Sequence, residues 1–216
     1  MAGHDSVNSM TIVNLTRTQR RAADMRRNLI EIAETLLIEG GAAAVTADEV
    51  ARRADVSLQT VYNRVGGKPA LLIAIAERSM EENRAYVDKA YEGKGTPEER
   101  GLRIFNAYVN FAFDRPHQFR ILANPPEEPE AISRIGAMAQ EQIAHLTSII
   151  RGGIASEWAS PDIDPESATN AVWAMMNGLL SLALRDDALR SETISRESLV
   201  QAAITVIQLG LRNRQS

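Results

Sequence analysis

From Arg26 the apolar residues Leu29, Ile32, Ala33, Leu36 and Leu37 recur at the spacing that lines one face of a helix. The pattern stops at Gly40-Gly41, residues that can take the left-handed backbone of a helix C-terminus. Thr46-Ala-Asp-Glu49 reads as a capping box, and the short helix it opens ends near Ala54. A third short helix follows from Leu58 to Val65. Lys68-Pro69 opens a longer one through Lys89, and Thr96-Pro-Glu-Glu99 joins a capping box to a first-turn proline. That helix is predicted to reach Asp114, and Arg115-Pro116 restarts a short one through Leu122. Pro125, Pro126 and Pro129 make the segment between them a loop. Helices over about 131–151, 165–185 and 195–212 complete a predicted set of nine, the first of these three ending at Gly152-Gly153. No alternating β-branched run reads as a strand, so the expected fold is all-α.

Composition narrows the chemistry. At 216 residues, 44% hydrophobic and 24% charged, the chain can bury an ordinary core. It has no cysteine, which removes thiol catalysis, thiolate metal sites and disulfides. The three histidines, His4, His117 and His145, are scattered and form no metal-ligand spacing. Glu141 and His145 make a lone i, i+4 pair; no nucleophile–base set or phosphate loop accompanies it, so no enzyme and no cofactor are expected. The run Ala171–Leu184 is too short and too interrupted for a membrane span, and residues 1–19 lack the apolar stretch of a secretory signal. A cytoplasmic protein is expected.

The net charge of −4 conceals an asymmetry. Residues 16–30 carry Arg17, Arg20, Arg21, Arg26 and Arg27 against Asp24 alone, whereas residues 69–216 hold 15 Lys and Arg against 20 Asp and Glu. A basic end on an acidic body suits a protein that touches phosphates with one end; a solvated basic tail has the same composition.

The second and third short helices are joined by Ala54-Asp-Val-Ser57. Val56 plugs the space between them, Ser57 caps the third helix, and Asp55 takes the left-handed place usually given to glycine. Val61 and Val65 then point inward, leaving Gln59, Thr60, Tyr62, Asn63 and Arg64 outside. Gln and Asn pair bidentately with adenine and Arg with guanine, and Thr meets a base edge or thymine methyl. The Tyr62 hydroxyl and the Lys68 ammonium suit phosphate oxygens. A helical corner with a polar solvent face has the same spacing.

Residues 30–72 resemble the DNA-binding domain of the tetracycline-repressor (TetR) family of bacterial regulators. The resemblance rests on Ala33 and Leu36 before Gly40, Thr46-Ala-Asp-Glu-Val-Ala51, Ala54-Asp-Val-Ser57, Thr60-Val-Tyr62, and Lys68 with Leu71-Leu72. The chain departs from the family at Asp55, where glycine is usual, at Asn63-Arg64, where an aromatic or His pair is usual, and at Val65, where Phe is usual. The resemblance places Thr46, Gln59, Thr60, Tyr62, Asn63 and Lys68 at positions that contact DNA, with Arg26 and Arg27 at the basic start of the first helix. It implies a three-helix helix-turn-helix domain at 20–67 and a six-helix ligand-binding and dimerisation domain at 68–216; residues 1–19, where the family fixes nothing, are expected to form a flexible arm.

In the second domain, all four phenylalanines (Phe105, Phe111, Phe113, Phe119) fall within fifteen residues beside Tyr108. With Met138, Trp173 and Met176 they are either core filling or the wall of a pocket for a small hydrophobic or aromatic effector. Asn110, His145 and Asn177 are the candidate polar contacts. The last two helices carry more apolar surface than one core uses. Met175, Leu179, Leu182 and Ala183 on one, and Leu199, Ala203, Val206 and Ile207 on the other, form an expected homodimer face. The function expected is a ligand-responsive repressor on a palindromic operator; the alternative is a helical adaptor, or an activator without a small-molecule ligand.

Overall fold

The computed structural model describes residues 16–213 apart from 126, 186, 188 and 190–194. Among the described residues there are nine α-helices, and the one β pairing is an isolated bridge between Ala159 and Arg212. The helices are α1 (Arg17–Ala44), α2 (Ala47–Ala54), α3 (Leu58–Arg64), α4 (Lys68–Tyr91), α5 (Pro97–Asp114), α6 (Pro116–Ala123), α7 (Pro129–Ala155), α8 (Pro165–Ala183) and α9 (Arg196–Leu211). The fold is a small three-helix head followed by a larger helical body. Among the described residues no helix is long and apolar enough to cross a membrane.

Most starts obey local rules. Thr96 and Glu99 form the predicted reciprocal cap of α5, and Asp164 accepts from the Ser167 N–H at 2.9 Å to open α8. Prolines occupy the first turns of α4 to α8, where a missing N–H costs nothing.

Three expectations are corrected. Helix α1 begins at Arg17, not Arg26, because Thr16 and Gln19 form a capping box with reciprocal bonds of 3.2 and 2.8 Å. Arg17, expected in the flexible arm, therefore stands on a helix with Arg20 and Arg21, while residues 1–15 of that arm lie outside the described residues. Thr46 caps α2, but Glu49 does not return the bond; it pairs with Arg52 and Arg53, at 2.6 and 3.0 Å. Helix α7 runs through Gly152-Gly153 to Ala155: neither glycine takes the left-handed backbone, which falls instead at Glu157 (φ 60°), and Gly153 leaves the space into which Trp158 folds back.

Gly41 does break α1 as predicted, at φ 67°. The head core then closes around Leu29, Ala33, Leu36, Val45, Val50 and Val61, and it continues into Leu71, Leu72 and Ile75 of α4. Head and body thus share one core through α4.

Candidate nucleic-acid interface and effector cavity

The turn between α2 and α3 is held by three local devices. Asp55 sits at φ 52°, ψ 48°, the left-handed conformation assigned to it, with its N–H turned back to Ala51 and Arg52 carbonyls. Val56 packs against the head core. Ser57 accepts from the Thr60 N–H at 3.2 Å, and the Ser57 and Thr60 hydroxyls are 2.9 Å apart. Helix α3 is thereby presented with Val61 fully buried and Gln59, Tyr62, Asn63 and Arg64 exposed.

Gln59 Nε2 donates to Asn63 Oδ1 at 2.9 Å, so the two amides one turn apart hold each other in place on the outer face. Thr46, Thr60 and Lys68 are half-buried around it, and Arg26 and Arg27 are exposed on α1, Arg27 beside Asp24 at 3.7 Å. Leu58 is a candidate site residue that sequence reasoning missed. It shares the inward stripe of Val61 and Val65, yet it is 39% exposed at the start of α3, beside the polar outer face.

Helix α2 is tied to α1 by charge. Glu49 takes Arg52 and Arg53, and Arg53 also reaches Glu39 at 2.7 Å. The two guanidiniums hold the Glu49 carboxyl down at about 2.

The body contains a cavity of about 320 Å³ between α4, α5, α7, α8 and α9, with the end of α6 at its edge. Of the residues expected to bind an effector, Phe105, Tyr108, Trp173 and Met176 line it. The others do not. Phe111 and Phe119 are fully buried and pack edge-on to Tyr86 and Tyr108, with centroids 5.6 and 6.0 Å apart. Phe111 lies nearly a turn past Tyr108, beyond the last α5 residue that the cavity reaches. Met138 packs against the core shared with the head, and His145 lies outside, exposed, against the edge of Tyr91. Asn177 stands behind the lining: Tyr108 donates to its Oδ1 at 2.8 Å. Asn110 is exposed.

Missing from the expected set were Asn83 of α4, Gln142 of α7 and Trp158, all on the wall. Asn83 had a signal in the sequence. It follows Met80 by three and precedes Val87 by four, a polar residue on an apolar stripe. Among the described residues no group of three or more His, Asp and Glu is placed to hold a metal ion.

Two family models match the chain. Residues 29–75 match the model described as bacterial regulatory proteins, tetR family, and residues 102–207 match a tetracyclin repressor-like C-terminal domain. The chain belongs to the TetR family. It is a DNA-binding transcriptional regulator with the head as its helix-turn-helix domain. The HTH-type transcriptional repressor KstR of Mycolicibacterium smegmatis is 32% identical over 92 residues. That match spans 43% of this chain and 45% of the repressor, so less than half of the relative's length is aligned. Among solved structures, the TetR family regulator PfmR from Thermus thermophilus covers 85% of this chain and 98% of its own, with a TM-score of 0.65 and 22% identity. AibR, solved in complex with isovaleryl coenzyme A and operator DNA, covers 84% and 97%, with a TM-score of 0.70 and 16% identity. At these identities the likeness carries the fold.

Within this TetR-family body, the expected dimer residues divide between two faces. Met175, Leu182 and Val206 are exposed, and Leu209 joins them at 60% exposure. Leu179 and Leu199 are half-buried. Ala183 and Ala203 are corrected: both are buried inside the protomer, where a small side chain lets neighbouring helices approach. Ile207 is corrected too, since it turns inward and lines the cavity.

Proposed function

We propose that the protein is a ligand-responsive repressor that binds a palindromic operator as a homodimer and releases it when a small hydrophobic effector fills the cavity. The observation that carries this reading is the path of α4. Its first half supplies Leu71, Leu72 and Ile75 to the core of the head, and its second half supplies Met80, Asn83, Val87 and Tyr91 to the cavity wall. At 24 residues it is about 36 Å long, a rigid lever with one end in each site.

A second link runs beside it. Gln118 of α6 donates to Glu34 of α1 at 2.5 Å, and Leu122, one turn further along α6, lines the cavity. Arg78 of α4 lies 3.5 Å from the same Glu34 and 3.1 Å from Glu31. An effector that moves α4 or α6 therefore tilts the head against the body. Coupling of about 1–3 kcal/mol, a change of about 5–150-fold in operator affinity, is the usual size of such linkage.

In this reading Gln59, Asn63, Arg64 and Thr60 read bases, with Leu58 beside them. Tyr62, Lys68, Ser57, Thr46, Arg26 and Arg27 hold the phosphate backbone. Selection of bound duplexes from a random pool at fixed salt tests it. The expected product is a palindrome with half-sites about one helical turn apart. Lys68→Ala weakens all sequences alike and lowers the salt slope by about one, whereas Asn63→Ala relaxes preference within the half-site. Weak, salt-sensitive binding without an enriched sequence would sink the reading.

A further inference from the structure

The cavity wall is apolar along most of its length, so its few polar groups define what it holds. Tyr91 and Tyr108 both line it, and both hydroxyl hydrogens are committed. Tyr91 donates to the Gln142 carbonyl at 3.3 Å and Tyr108 to Asn177 at 2.8 Å. Burial pushes both phenols above their ordinary range, Tyr91 to about 12, so each keeps its proton. Gln208 Nε2 donates to Glu98 Oε1 at 3.1 Å, which closes that pair.

Asn83 differs from these. It is 1% exposed, its Oδ1 accepts from Gln142 Nε2 at 2.9 Å, and its Nδ2 is buried without a partner. Trp158, on another part of the wall, likewise leaves its indole Nε1 buried and unpartnered. Both unmet groups are N–H donors. No Lys, Arg or His is among the described lining residues, and the one carboxylate there is Glu98.

A buried donor without an acceptor is costly, and a ligand that supplies the acceptor recovers that cost on binding. We infer that the effector is an elongated, uncharged, largely apolar molecule whose carbonyl or other neutral oxygen accepts a hydrogen bond from Asn83 Nδ2. The inference rests on the effector reading above and specifies its ligand. Elongation follows from the lining: Met80 to Tyr91 spans about 16 Å along α4. A carboxylate ligand would give up its hydration with no cation to receive it and would meet Glu98. A pure hydrocarbon would fill the space and leave both donors unmet.

The test uses the intact protein and a matched series of 2-nonanone, nonane and nonanoic acid. Displacement of the neutral dye N-phenyl-1-naphthylamine reads binding, and anisotropy of labelled operator reads release. The ketone is expected to bind at least about tenfold tighter than either companion. Asn83→Leu is expected to erase that preference while nonane still binds. If the variant does not fold, the ranking on the wild-type protein decides alone. Nonane or nonanoic acid binding as tightly as the ketone, or no displacement by the ketone, overturns the inference. A ketone that ranks first without changing operator affinity upholds the ligand class and removes the effector role. An acid that ranks first and releases operator does the reverse.

Discussion

Asp55 occupies a backbone region that costs most L-residues about 1–2 kcal/mol, and it sits there because the α2–α3 turn admits no other path. Asp55→Gly is expected to fall within about 1 kcal/mol of the wild type, glycine trading strain against unfolded-chain entropy. Asp55→Val is expected to lose about 1–2 kcal/mol in urea unfolding and to weaken DNA binding with it. This turn was legible in the sequence because its chemistry is local: Asp55, Val56 and Ser57 act on their immediate neighbours. Glu34 was not. Its partner Gln118 lies 84 positions away, and nothing near Glu34 marks it as buried. Burial raises its carboxyl above 4.5, against the pull of Arg78 and the Gln118 bond. The native state then holds this proton more tightly than the unfolded chain does. The resulting stability is fully present below 4.5 and is lost as pH rises through the raised value. Glu34→Gln removes the effect, so the wild type should gain on the variant as urea titrations move from about pH 7 to about pH 5. A difference that is flat with pH, or that favours the wild type at higher pH, would refute it.

At the scale of elements, start signals were read well and continuations were not. Caps and first-turn prolines act within one turn, which is why α4, α5, α6 and α8 begin where their sequences say. The first turns of α1 were invisible because Arg17, Thr18, Gln19, Arg20 and Arg21 are exposed and carry no apolar stripe. The phenylalanines failed differently: periodicity marks a side chain as inward, but not whether it meets a cavity or a neighbour. Phe105 meets the cavity and Phe111, under two turns on, fills the core. The glycines of α7 give this a measurable form. A Cβ on Gly153 would lie 2.8 Å from Trp158 Cε3, whereas one on Gly136 has nothing within 4 Å. Gly136→Ala is expected to stabilise by about 0.5–1 kcal/mol, the ordinary gain of removing a mid-helix glycine. Gly153→Ala is expected to have the opposite sign, a loss of about 1–3 kcal/mol, as Trp158 is forced off the helix. Thermal unfolding of the two variants side by side checks the reversal.

At the scale of the whole molecule, one recognition helix of seven residues spans too few base pairs to select an operator alone. In the proposed dimer the body supplies the remedy, on the opposite face of the helices that wall the cavity. Helix α9 turns Ile207 to the cavity and Val206 to solvent, and α8 turns Met176 inward and Met175 and Leu182 outward. Exposed apolar side chains of this kind, carried on two helices that pack together, are what a two-fold four-helix contact buries. Each helix would then touch the effector on one side and the partner protomer on the other, so dimer geometry and ligand occupancy are read by the same backbone. Charge placed on the outer side separates the two roles. The double variant Leu182→Glu, Val206→Glu should sediment as a monomer, because two carboxylates per protomer would be buried without partners. Operator affinity should fall at least about a hundredfold while weak non-specific binding persists, since each head is intact. Dye binding in the cavity should survive, because Ala183, Ala203 and Ile207 face inward and are untouched. A variant that still sediments as a dimer would place the interface elsewhere. A monomer that kept full operator affinity would show that one head suffices, leaving the outer face of α8 and α9 without a part in operator selection.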